Sequence, residues 1–266
     1  MLHLPVLRFR RSGRTQHRRA FAWRTEKALT QFRIGTAGWS IPRQDADSFP
    51  TEGISLERYA ARFNVAEINS SFHRPHRLST WERWRDSVPE DLRFSAKLPK
   101  TITHQRKLVD CGDLLDEFIV QVEGLGGKLA VLLVQLPPKL ELDSETAAAF
   151  FTDLRSRTGA HIACEPRHIS WFSEAAVGLP EKLQVARVAA DPAICEAAAR
   201  PGGWRGVDYW RLHGSPVIYR SSYADRIGEY VDLLREGSAE TRCIFDNTAS
   251  SAGAGDALAL MQAFAG

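Results

Sequence analysis

The feature that most constrains this chain is an alternation. Eight short runs read as strands: QFRIGT (31–36), NVAEINS (64–70), LRFSAKL (92–98), LAVLLVQL (129–136), HIACE (161–165), QVARVAAD (184–191), DYWRLHG (208–214) and TRCIFDN (241–247). Between and after them lie segments with helical signals: 55–63, 80–88, 113–124, 144–158, a stretch near 173–178, 193–199, 226–237 and 253–264. In 55–63, Leu56, Tyr59, Ala60 and Phe63 recur at helical spacing behind Ser55 as an N-cap. Thr80 is expected to cap the helix 80–88, and Gly124, Gly126 and Gly127 to end the helix 113–124. Eight strands alternating with helices over about 235 residues match an α/β fold of the (β/α)8, TIM-like barrel class.

The alternative is a doubly wound open sheet, which announces itself by a glycine-rich phosphate loop after the first strand. GTAGWS at 35–40 lacks that spacing. No internal repeat or linker divides the chain, so residues 32–266 read as one domain. No apolar run approaches the roughly 20 residues that span a bilayer. The longest, LAVLLV at 129–134, suits a buried strand. A content of 44% hydrophobic and 25% charged residues is that of an ordinary globular chain.

The net charge of +3 conceals an asymmetry. Eight of the 35 basic residues and one of the 32 acids fall in residues 1–31, so the rest carries 27 against 31, a net of −4. The body is therefore mildly acidic, which argues against a broad nucleic-acid-binding face. Residues 1–31 read as a basic extension, either a disordered arm, a targeting segment or a non-native start, whose removal is expected to leave the fold intact. They lack the apolar core and small-residue cleavage site of a secretory signal. Cys111, Cys164, Cys195 and Cys243 are scattered, with no CxxC pair and no zinc-ligand spacing. Reduced cysteines and a cytoplasmic location are expected.

The stretch EINSSFHRPHR, 67–77, shows where chemistry concentrates. A buried strand that ends on a carboxylate and an amide needs partners, because an unpaired buried charge costs several kcal/mol. In a barrel the active site lies at the carboxyl ends of the strands, and side-chain alternation selects the inward set. Thr36, Glu67 with Asn69, Ser95 with Lys97, Gln135, Glu165, Asp191, Arg211 with His213, and Asp246 or Asn247 end the eight runs. The opposite strand ends look mostly apolar or trivially polar. Glu67, Lys97, Glu165, Asp191 and Arg211 thus predict a ring of mixed charge at one mouth, read either as a satisfied buried network or as a catalytic rim.

Three motifs sharpen the choice. EPRHISWF, 165–172, places Arg167 and His168 beside Glu165, a carboxylate suited to general-base work or to bracing an arginine. RLHG, 211–214, puts His213 before a glycine, a position suited to proton transfer near neutral pH. KLPKTITH, 97–104, supplies Lys97, Lys100, Thr103 and His104 for holding an anion, and Lys97 has the chemistry for a Schiff base. Tyr219, Arg220 and Tyr223 lie in the loop after the seventh strand.

IGTAGWS, FNVAEINSSFHRP, RFSAKLPKTITHQRKL, LLVQLPPKL, EPRHISWF, the Asp191-Pro192 pair, YWRLHG and IFDNTASSAGAGDAL occur in order from about 32 to 264. In these segments the chain resembles the YecE-like proteins, the family called domain of unknown function 72. The resemblance implies a TIM-barrel fold and no established reaction. SIPRQDADSFP after Gly38-Trp39, His73, and Asp246 beside Asn247 depart from the family pattern, which implies an altered ligand preference.

The residues point to an enzyme using acid/base chemistry on a small polar anion, phosphorylated or sugar-derived. Glu165, His213, Lys97, Glu67 and Asp191 are the expected catalytic set. Asn69, Arg74, His104, Gln135, Arg167, His168, Arg211, Tyr219 and Asn247 are the expected ligand contacts. No residue is assigned to a metal, although Glu67, His73, Glu165, Asp191, His213 and Asp246 include divalent-ion ligand types, and the cofactor is left open. A metal-dependent phosphodiesterase or nuclease and a non-catalytic metabolite-binding protein are the alternatives. The expected partner is a small molecule, with neither nucleic acid for the barrel body nor a membrane.

Overall fold

The computed structural model describes residues 32–176, 178–237 and 240–265. The basic segment 1–31 lies outside them. The strands are β1 (Phe32–Ala37), β2 (Val65–Ile68), β3 (Arg93–Lys97), β4 (Leu129–Gln135), β5 (His161–Glu165), β6 (Val185–Arg187), β7 (Ala189–Asp191), β8 (Gly202–Gly203), β9 (Val207–Leu212) and β10 (Glu240–Phe245). They form one sheet in the order β7-β9-β10-β1-β2-β3-β4-β5-β6-β8. Every pairing is parallel except β6 with β8.

The sixth expected strand is not continuous. Residues 185–187 pair with β5, while 189–191 pair with β9 at the opposite margin of the sheet. Val188, the single residue between them, donates its N–H to Cys164 O at 2.8 Å. The sheet's two margins are thus joined through one residue, and the sheet curls into a near-barrel. The two-residue β8 was not legible in the sequence.

The longer helices are α1 (Ser55–Ala60), α2 (Leu78–Asp86), α3 (Gly112–Val122), α4 (Ser144–Arg157), α5 (Ile227–Arg235) and α6 (Gly253–Ala265). The Asp143 carboxylate caps α4 by accepting from Thr146 N at 2.7 Å. Two expected caps move. Ile54, not Ser55, precedes α1, and its N–H donates to Glu57. Thr80 lies inside α2, which begins two residues earlier. The helices expected near 173–178 and at 193–199 are 3-10 turns at 174–176 and 196–199. Among the described residues no helix is long and apolar enough to cross a membrane.

Alternation divides the core into two layers. The outer layer packs helices on the sheet and contains Leu56, Tyr59, Trp81, Phe94, Phe118, Phe150 and Phe245. Each such aromatic or aliphatic side chain contributes on the order of 1.5–3 kcal/mol by leaving water. The inner layer is smaller: Val65, Val131, Leu133, Ala163, Val188, Tyr209 and Ile244 fill the sheet's concave side. Gly35 makes the β1–β2 contact possible, since a Cβ there would lie 2.1 Å from Val65 O and 2.6 Å from the Tyr59 hydroxyl. That hydroxyl donates to Val65 O and accepts from Thr36 N, fastening α1 to both strands.

Candidate functional site

Immediately beyond the inner apolar layer the same faces of the strands turn polar. β2 carries Glu67 one residue before its end, and β3 ends in Lys97, β4 in Gln135 and β5 in Glu165. β9 carries Arg211 with His213 just past its end, and β10 is followed by Asp246. Arg211 is the hub and is 0% exposed. It grips Glu67 with two hydrogen bonds, Nε to Oε2 at 3.0 Å and Nη2 to Oε1 at 2.7 Å. It also reaches Glu165 Oε2 at 2.6 Å and Asp246 Oδ2 at 3.0 Å. Such charge-assisted, bidentate contacts are what a buried guanidinium needs to offset its desolvation.

Glu165 is saturated. Arg211 and Gln135 donate to Oε2, while Arg167 and His213 Nε2 face Oε1 at 2.6–3.0 Å. Burial alone would raise its pKa, but Arg211, His213 and Arg167 outweigh burial and hold the carboxyl well below the usual range. His213 stands between two carboxylates, with Nδ1 2.9 Å from Asp246 Oδ2 and Nε2 3.0 Å from Glu165 Oε1. Burial works against its charge, yet Glu165 and Asp246 raise its pKa above the ordinary value. We therefore assign an imidazolium that donates on both sides, against which the neighbouring Arg167 Nη2 at 3.2 Å is a like-charge contact. Asp246 is lowered, chiefly by Arg211 and His213 against burial.

Lys97 differs from its neighbours. It is 8% exposed, and among the described residues its ammonium makes no hydrogen bond and no ion pair. The ring of Phe72 lies beneath it, with Nζ 4.2 Å from the centroid. Burial and Arg211 push its pKa down to about 8, more than Glu67, Glu165 and Asp246 restore. Arg167, whose side chain is 25% exposed, keeps Nη1 without a hydrogen bond among the described residues. His104 packs edge-on against Phe72 at 4.9 Å, and the fields of Lys97 and Arg167 add to burial in lowering its pKa. Tyr219, 41% exposed, covers His213 edge-on at 5.9 Å.

Several expected site residues stand elsewhere. Asp191 ends β7 facing the helices, where its Oδ2 accepts from Arg226 at 2.7 Å and Tyr230 at 2.6 Å. It is therefore no member of the ring, because alternation after the inward Val188 turns it out. Asn247 likewise faces outward, tying Ser221 O to Asp256, while the neighbouring Asp246 is the inward residue. Thr36 bonds to Tyr59 of the outer layer and to Gly38 O. His168 caps the turn 169–172 through Ser170. Arg74 lines a separate cleft of about 180 Å³ behind Phe72, with His73 and His76. Asn69 keeps a buried Oδ1 without a hydrogen-bond partner. Tyr209, which donates to Glu67 Oε2 at 2.8 Å, was missed, although its alternation with Arg211 marks it as inward.

The amino ends of the strands are also less bland than expected, for Arg242 is buried there and pairs with Glu240, with Arg33 Nε 3.2 Å from the same carboxylate. Among the described residues no group of three or more His, Cys, Asp or Glu side chains is arranged to hold a metal ion. The three mouth carboxylates converge on Arg211. The four cysteines are free thiols.

Comparison with known proteins agrees with this architecture. The profile described as "Protein of unknown function DUF72" matches residues 33–266. UPF0759 protein YecE of Escherichia coli K12 is 36% identical over 105 residues, covering 39% of this chain and 37% of YecE. UPF0759 protein YunF of Bacillus subtilis 168 is 29% identical over 150 residues, 53% of this chain and 52% of YunF. The matched stretches thus span about a third to a half of these curated relatives. A DUF72 family protein from Thermotoga maritima MSB8 superposes with a TM-score of 0.72 at 20% identity, covering 88% of this chain and 99% of that one. Another from Enterococcus faecalis V583 gives 0.71 at 18% identity, covering 87% and 94%. The fold is shared with both, and by the match across 33–266 the chain belongs to the DUF72 family.

Proposed function

We propose that the chain is a (β/α)8 barrel whose mouth binds a small polar anion and moves a proton on it. One observation carries this reading: the mouth has a cation in excess. Glu67, Glu165 and Asp246 are matched by Arg211, Arg167 and His213, and Lys97 is left over with its ammonium uncommitted. An anion between Lys97 and the open edge of Arg167 would complete the balance, as phosphate and carboxylate ligands do. Lys97 exchanges the proton in this proposal, its pKa of about 8 suiting transfer near neutral pH, while both N–H groups of His213 stay on Glu165 and Asp246. Glu165, Glu67 and Arg211 are positioning residues that fix His213 and Arg167.

The saturation of Glu165 favours one further reading, a non-catalytic protein that senses the same anion. Both readings are tested by thermal unfolding with inorganic phosphate, a sugar phosphate or a 2-oxo acid, followed by product analysis of the stabilising compound. Binding at 100 times Kd adds about 2.7 kcal/mol. Stabilisation that Arg167→Met and Lys97→Met abolish supports the site, and turnover separates enzyme from sensor. Stabilisation by none of these anions, or one that survives both substitutions, removes the proposal. Activation by added divalent ions would instead favour a metal-dependent phosphodiesterase.

A further inference from the structure

We infer that Lys97 captures its ligand covalently, forming an imine with a small anion that carries an aldehyde or ketone. The inference rests on the anion-binding reading above and names its substrate class. Two observations on geometry lead to it. First, the carboxylates near Lys97 are spoken for. Both oxygens of Glu67 and of Glu165 accept from Arg211, Tyr209, Gln135, Arg167 or His213, and Asp246 Oδ2 accepts from Arg211 and His213. A lysine brought to a strand end merely to balance these acids would bond to one of them. Second, the amine rests over the face of Phe72, 4.2 Å from its centroid, in a residue that remains 8% exposed. That surface supports a hydrocarbon or carbonyl carbon better than a hydrated ion.

The groups facing Lys97 set its charge state. Burial and the like charge of Arg211 favour the neutral amine; Glu67, Glu165 and Asp246 oppose them less strongly. A lysine with a pKa of about 8 has on the order of a hundred times more neutral amine near pH 7.4 than an ordinary one. The amine lone pair attacks the carbonyl carbon, the C=O π pair moves to oxygen, and oxygen takes up a proton as nitrogen gives one up. The carbinolamine hydroxyl then takes a proton from solvent and leaves as water while the nitrogen lone pair closes the C=N bond, and the iminium N–H proton returns to solvent to leave the imine. Amine and carbonyl become imine and water, with no oxidant or reductant. Arg167 holds the anionic end.

The test uses the full chain with glyoxylate or pyruvate and sodium cyanoborohydride, with uncharged glycolaldehyde as control, and maps the reduced adduct by peptide mass spectrometry. Labelling of Lys97 at least tenfold above any other lysine is expected, with a rate that rises with pH and levels above about 8. Arg167→Met should reduce labelling by glyoxylate far more than by glycolaldehyde. Lys97→Arg, which keeps the charge, should abolish the specific adduct yet retain anion-induced stabilisation. Label spread evenly over the lysines, label that persists in Lys97→Arg, or no label overturns the imine. In those cases surviving stabilisation by anions leaves the binding proposal standing, and its absence removes both.

Discussion

Replacing Arg211 with methionine isolates the interaction on which the mouth depends. Arg211 makes four hydrogen bonds to three carboxylates. Methionine fills part of the volume and removes the charge. Glu165 would keep Gln135, Arg167 and His213, but Glu67, itself 0% exposed, would keep only the Tyr209 hydroxyl. Removing one partner of a buried ion pair costs about 3–5 kcal/mol because the other charge is stranded. For a domain of this size each kcal/mol moves Tm by about 2–4 °C, so the fall is on the order of 10 °C. Arg211→Met/Glu67→Gln, which removes the stranded charge as well, should recover at least half of the loss. The deficit should also shrink as pH falls. In the parent protein the lowered pKa of Glu165 gives stability that is present above about 4.5 and is lost as pH drops through its folded-state value. Without Arg211 much of that stability is absent at any pH. Urea unfolding of the three proteins at several pH values measures all of this. A single substitution that costs under 1 kcal/mol at neutral pH, a deficit that stays constant into acid, or a double variant no better than the single one would refute the reasoning.

Further outcomes follow from neighbouring contacts. Lys97→Met should leave the protein as stable or make it more stable by about 1–2 kcal/mol, since the ammonium is desolvated without an ion pair, while ending anion-induced thermal shifts; a clear loss of stability would show that Lys97 is structural. His213→Gln should be most damaging below about pH 6.5, because a raised folded-state pKa gives stability that is lost as pH rises through it; chemical denaturation at acid and alkaline pH measures this, and a deficit growing with pH contradicts the assigned imidazolium. Asp191→Asn should lower stability by about 1–3 kcal/mol by weakening the contacts with Arg226 and Tyr230, and leave ligand-induced shifts intact; their loss would return Asp191 to the site. Gly35→Ala should fail to give soluble protein, because its Cβ would overlap Val65 O; a variant that unfolds at the parent temperature would contradict the packing.

The sequence by itself determined the alternation of the main strands and helices, and the face on which most site residues lie. Backbone alternation is a local property, so Glu67, Lys97, Gln135, Glu165, Arg211 and His213 could be assigned to one side before any contact was known. What only the tertiary structure decided was who meets whom. Glu67 and Arg211 are 144 residues apart in the chain, and nothing in either run names the other. The same holds for Lys97, whose lack of a partner follows from three carboxylates being taken by groups on other strands. A polar residue at a strand end misled at Asp191 and Asn247, because such a residue faces in or out by its own alternation rather than by its chemistry. The split of the sixth strand also lay beyond local reading. Its sequence reads as one strand, but joining the sheet's margins requires its two halves to pair with different neighbours, and that demand arises only when the sheet curls on itself.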